Sequence, residues 1–79
     1  QLYFYRIEPS VDTIRNRVRE LREERGLSQS ELARRTGVTR QTIISLEKGS
    51  YVPSLLFALN LCEVFDAAVE DVFSKEEHS

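Results

Sequence analysis

The stretch SQSELARRTGVTRQTIISLEK, residues 28–48, decides how the rest of this chain is read. Two short amphipathic runs flank Gly37-Val38-Thr39, and each opens on a hydroxyl residue suited to capping a helix. Ser28 and Glu31 have capping-box spacing: Ser28 takes the Glu31 N–H, and the Glu31 side chain is expected to reach back. The helix opened there turns Leu32 and Ala33 inward and closes at Gly37. Thr39 caps the next helix, Arg40–Lys48, whose inward positions are Ile43 and Leu46 and whose stop is Gly49. Small Ala33 lets the two helices approach closely, and Gly37 bends the chain between them. The pattern predicts two helices joined by a tight turn.

A helical hairpin in any small bundle explains these apolar positions equally well. It does not explain the outward side of Arg40–Lys48, which carries no acid until Glu47. Arg40, Gln41, Thr42 and Ser45 are there instead, side chains of the kinds that hydrogen-bond base edges and phosphates.

On the N-terminal side, Ile14, Val18, Leu21 and Arg22 recur at helical spacing, with Ser10, Asp12 and Asn16 as candidate caps and Gly26 as the stop. Leu2–Ile7 is aromatic and β-branched, which favours an extended segment, and Pro9 ends it. On the C-terminal side Ser50–Pro53 reads as a loop, and Ser54 caps a fourth helix. Leu55, Ala58, Leu59, Cys62 and Phe65 are expected on its inward face. Asp66-Ala67-Ala68 interrupts it, a short helical turn follows around Val69–Phe73, and the acidic end of the chain is expected to fray. The fold expected is all-α with five helices and a short extended segment at the start. Residues 1–13 form an N-terminal extension, 14–74 the domain, and 75–79 an acidic tail.

Composition narrows the function. With 79 residues, 41% apolar and 30% charged, the chain is an ordinary small globular domain near the lower size limit for folding alone. No apolar run reaches the roughly 18 residues of a membrane span, so no membrane partner and a cytoplasmic location are expected. One cysteine (Cys62) and one histidine (His78) provide neither a disulfide nor a histidine–cysteine metal site. Cys62 reads as a small buried hydrophobe rather than a redox sensor. No nucleophile–base set, paired carboxylates or glycine-rich phosphate loop is present, so neither catalytic residues nor a cofactor is expected. The chain has no methionine, so Gln1 is not expected to be its first encoded residue. The net charge of −2 hides an asymmetry: residues 14–48 sum to +4 and the remainder to −6. A polyanion partner on one face fits this, and so does a solvated arginine-rich helix face.

Leu27–Ala33, Gly37–Ile43 and Leu46–Gly49 together resemble the XRE family of Cro- and phage-repressor-like helix-turn-helix proteins. Tyr51–Leu55 and Val69–Phe73 extend the likeness to its small single-domain members, over roughly residues 14–74. The resemblance implies a lambda-repressor-like domain whose third helix enters the major groove of double-stranded DNA amino-terminus first. It implies base contacts from Arg40, Gln41 and Ser45. Ile44 beside them would touch a thymine methyl, or is simply exposed or used in a dimer. It assigns phosphate contacts to Gln29, Ser28, Thr42 and Lys48, with Ser28 also capping. It pairs Arg22 with Glu47 as a structural brace. Arg15, Arg17 and Arg19 are left as a solvated face.

Leu56, usually charged in similar sequences, stands near Phe57, Leu61 and Val64, which makes the fourth helix apolar nearly all round. Either Tyr3-Phe4-Tyr5 covers this surface, or a homodimer forms through Leu56, Phe57, Leu61, Val64, Val69 and Phe73; the dimer is preferred. The function expected is a sequence-specific regulator, a repressor acting as a homodimer on a near-palindromic operator. The alternative is an antitoxin-type interaction module that covers a toxin and regulates its own operon.

Overall fold

A computed structural model describes residues 13–76. In chain order the elements are β1 (Thr13–Asn16), α1 (Val18–Glu24), α2 (Gln29–Thr36), α3 (Arg40–Lys48), α4 (Leu55–Phe65), α5 (Val69–Val72) and β2 (Phe73–Glu76). The five helices are as expected, but the described part is not purely helical. β1 and β2 pair antiparallel, with Thr13 opposite Glu76 and Asn16 opposite Phe73. Ile14 therefore lies in a strand rather than in the first helix, and Glu76, the first residue of the stretch 76–79 expected to fray, is paired in the ladder. A single apolar residue one turn ahead of Val18 fits both a helical and an extended reading. The ladder is decided by a partner some sixty residues away. The extended segment expected at Leu2–Ile7 and His78 both lie outside the described residues.

The cap position of α1 is Arg17, which makes no side-chain cap bond; Asn16, a candidate cap, stands one residue earlier and meets the first helical N–H. Its Oδ1 accepts the Val18 N–H at 3.0 Å, while its Nδ2 donates to the Leu46 carbonyl of α3 at 3.0 Å. One side chain thus joins the sheet, the first helix and the third. Ser28, Thr39 and Ser54 cap α2, α3 and α4, each accepting a backbone N–H three residues on. The capping box at α2 is only half formed. Glu31 does not reach back to Ser28; its carboxylate is held by Arg34 and Arg35 one turn ahead. Gly37, at φ +74°, ends α2 in the left-handed conformation, and Val38 N–H returns to the Ala33 carbonyl.

The core is Val18 and Leu21 from α1, Leu32 and Ala33 from α2, Ile43 and Leu46 from α3, five residues of α4, and Val72. Arg25 lies over the Phe65 ring, 5.5 Å from its centroid, and donates to the Phe65 carbonyl at 2.6 Å. It thereby closes the C-terminal end of α4 with a cation.

Helix α4 corrects the sequence reading. Its buried residues are Phe57, Ala58, Leu61, Cys62 and Phe65, whereas Leu55 (72% exposed) and Leu59 (47%) face outward. Phe57 and Leu61, expected at a dimer surface, are instead fully used by the core of the same chain. Val64 and Phe73 are half-buried and pack against that core. Leu56 and Val69 remain exposed. A helix apolar nearly all round has no periodicity to say which side is inward, so neighbouring elements decide it. Cys62 is buried, and that burial raises its thiol pKa, with Glu70 and Asp71 adding to the effect.

Hydrogen bonds from Arg34 and Arg35 hold the Glu31 carboxyl at about 2, against an ordinary value of 4.5. Because the folded value is the lower one, this contribution to stability is present above pH 4.5 and lost as pH falls toward 2. The expected midpoint of the Glu31 carboxyl carbon shift is about 2 by NMR. Arg34→Gln with Arg35→Gln should return it to the ordinary range; an unchanged midpoint would assign the depression to the helix end instead.

Candidate nucleic-acid interface

The site is built on α3. Burial of Ile43 and Leu46, neither with any exposure, fixes the roll of this helix and turns Arg40, Gln41 and Lys48 to solvent. Ile44 and Ser45 lie half-exposed between them. Gln41 Nε2 reaches Ser45 Oγ at 3.4 Å, so two expected base-reading side chains share one edge of the helix. Thr42 has a different setting. Its hydroxyl lies 3.0 Å from that of Thr39, inside the cap, and it is half-buried.

Glu47, the one acid of α3, is withdrawn from this face. Its side chain is 6% exposed and receives Arg22 Nε at 2.7 Å and Arg22 Nη2 at 3.3 Å. The third Arg22 nitrogen, Nη1, donates to the Leu27 carbonyl at 2.8 Å. The hydrogen bond to Glu47 raises the Arg22 pKa further, and burial opposes it. Gln29 Nε2 joins the same carboxylate at 3.1 Å. The structure therefore brings Arg22 and Glu47 together and adds a member that sequence reading had placed separately. An acid that would repel phosphates is neutralised, and the amide opening α2 is held in one orientation.

Between the start of α2 and the outer side of α3 runs an open groove of about 910 Å³. Ser28, Gln29, Arg40, Ile44 and Lys48 line it together with the Arg22–Glu47 pair. Two further lining residues, Arg19 and Ser30, had no role in the sequence reading. For Arg19 a signal was available: it precedes Arg22 by three residues and so shares its side of α1. Gln41, Thr42 and Ser45 do not line this groove; Gln41 and Ser45 sit further round the exposed face of α3. The arrangement offers hydrogen-bond donors of two kinds. Backbone N–H groups and Gln29 stand at the start of α2, and long cationic or amide side chains stand on α3. Among the described residues no cluster of candidate ligands could hold a metal ion, and no helix is long and apolar enough to cross a membrane.

The sequence pattern of the helix-turn-helix family HTH_3 matches residues 18–72. The chain is 52% identical over 66 residues to an uncharacterized HTH-type transcriptional regulator of Bacillus subtilis, YgzD, covering 84% of this chain and all of that one. Among solved structures it is similar to the restriction-modification controller protein C.AhdI of Aeromonas hydrophila. That likeness has a TM-score of 0.66 and 36% identity over 70% of this chain and 83% of the other. It is also similar to SinR, described as the master regulator for biofilm formation, in its complex with DNA. Here the TM-score is 0.64 and the identity 34%, over 68% of this chain and 87% of the other.

Proposed function

We propose, from the premise that this chain belongs to the helix-turn-helix family HTH_3 and is a DNA-binding transcriptional regulator, that it reads a specific duplex site with α3 and represses transcription there as a homodimer. The observation that carries this reading is the acid-free outer face of α3, with Glu47 folded away beneath it. Arg40, Gln41 and Ser45 are assigned to base edges, Ile44 to a thymine methyl, and Ser28, Gln29, Thr42 and Lys48 to phosphates. Solution of SinR with DNA on the same fold supports the docking mode.

Support for a homodimer comes from Leu55 and Leu56, 72% and 69% exposed in the first turn of α4, and Leu59, 47% exposed one turn on. Val52, 71% exposed, precedes them in the connecting loop. This patch replaces the one expected from sequence, keeping Leu56 and losing Phe57 and Leu61. A two-fold axis there would present two copies of α3, and half-sites roughly 34 Å apart would make the operator near-palindromic. Repression follows from simple occlusion of a promoter by the bound dimer.

Selection of bound duplexes from a random pool tests the reading directly, since it requires binding and yields the site. On the selected site, Arg40→Ala and Gln41→Ala are each expected to relax preference at one or two positions by roughly 1–3 kcal/mol. Equal weakening on selected and random DNA would move both residues to the phosphate class.

A further inference from the structure

The sequence presents Arg15, Arg17 and Arg19 as equivalent, and the structure separates them. Arg15 sits on β1 with its Nε 3.8 Å from Glu76. Arg17 engages all three of its nitrogens, two with Glu20 and one with the Asp71 carbonyl. Arg19 alone of the three lines the groove between α2 and α3, although it also borders the smaller depression beside Glu20 and Glu23. Its only hydrogen bond among the described residues runs from Nε to Glu23 Oε2 at 3.3 Å, and its side chain is 72% exposed. Both terminal nitrogens of its guanidinium are therefore open to a ligand. Arg22, one turn along, is not: it is 10% exposed, fully hydrogen-bonded, and neutralised by Glu47.

We propose that Arg19 binds a DNA backbone phosphate from α1, extending the interface beyond the helix-turn-helix to the opposite wall of the groove. This inference rests on the DNA-binding reading above. The phosphate would belong to the stretch of backbone met by Ser28 and Gln29, which line the same groove as Arg19. A planar guanidinium with two free N–H forks suits a phosphate oxygen pair. Glu23 holds the side chain near this position in the free protein through an exposed i,i+4 pair, weak enough for phosphate to displace.

The test is binding of a mixed-sequence duplex of about 25 base pairs, measured by anisotropy across about 50–200 mM salt. Arg19→Gln is expected to lower the slope of log K against log salt by about 0.9, the signature of one phosphate contact, and to weaken binding roughly 5–10-fold near 0.1 M salt. Lys48→Gln should behave alike, whereas Arg15→Gln should leave the slope where it was. Thermal melting of Arg19→Gln should match the parent chain, because the pair it loses is exposed. An unaltered slope in Arg19→Gln, or an equal loss in Arg15→Gln, overturns the assignment while leaving DNA binding intact. If the parent chain binds neither this duplex nor any duplex selected from a random pool, the functional reading itself fails.

Discussion

Leu56→Glu is expected to leave the helical domain folded and to separate the two copies of the proposed homodimer. The leucine is 69% exposed on α4, so its replacement removes little from the core of its own chain. At a two-fold interface the same change occurs twice. Burying each leucine contributes roughly 1.5–3 kcal/mol, and placing a carboxylate in that apolar setting adds to the loss. A combined cost of at least about 3 kcal/mol corresponds to a dimer weakened by roughly two orders of magnitude. Sedimentation at micromolar concentration should show the parent chain as a dimer and Leu56→Glu as a monomer, with indistinguishable far-ultraviolet circular dichroism. Operator affinity should fall with it, since two half-sites must then be filled independently. A parent chain that sediments as a monomer, or a variant that still self-associates, would remove α4 from the interface. Phe57→Glu makes an informative contrast. That side chain is 5% exposed and stacks edge-on with Tyr51 at 6.2 Å, so the substitution is expected to unfold the domain rather than dissociate it.

Glu47→Ala should produce the second large effect, this time on stability. It leaves the Arg22 guanidinium, 10% exposed, with two N–H donors that have lost their hydrogen-bond partner and only the exposed Glu23 carboxylate, 3.9 Å from Nη2, to offset its charge. Removing one member of a buried pair typically costs about 3 kcal/mol or more. A domain of this length holds only about 4–12 kcal/mol in total. The melting temperature should therefore drop by on the order of 15 °C. Arg22→Met combined with Glu47→Leu is expected to recover much of that loss, because apolar side chains of similar size often replace a buried pair without penalty. Duplex binding should stay weak in the double variant on every sequence, since Gln29 has lost the carboxylate that orients it. Recovery of binding together with stability would show that the pair only braces the fold. A loss below about 1 kcal/mol in Glu47→Ala would place the pair among ordinary surface interactions.

Residues 28–48 were legible in the sequence because everything that shapes them is local. A hydroxyl residue and the N–H three positions on, a glycine past the last turn, and apolar residues at i and i+3 all act within one or two turns. Caps at Ser28, Thr39 and Ser54 and the inward side of α3 follow from those short-range rules, and so does the outward set that includes Arg40 and Gln41. Local rules had a limit even here. Glu31 had two outlets of similar reach, the backbone behind it and the arginines ahead, and the charged pairing won.

Tertiary structure alone decided the remainder, wherever the competing environments were chemically alike along the chain. Ile14 became a strand residue because Phe73–Glu76 offered a ladder at the far end of the sequence. The apolar sides of α4 differ in what packs against them, not in composition, so Phe57 and Leu61 went inward while Leu55 and Leu59 did not. Arg15, Arg17 and Arg19 are the same side chain at nearly the same place in the sequence. They differ in the acceptors around them: Glu76 for the first, Glu20 and the Asp71 carbonyl for the second, and for the third Glu23 at Nε alone, with its terminal nitrogens left to an open groove. Sequence determined which local elements form and which residue types each displays, because caps and periodicity act over a few residues. Contacts between distant segments determined which of those residues are free to meet a partner.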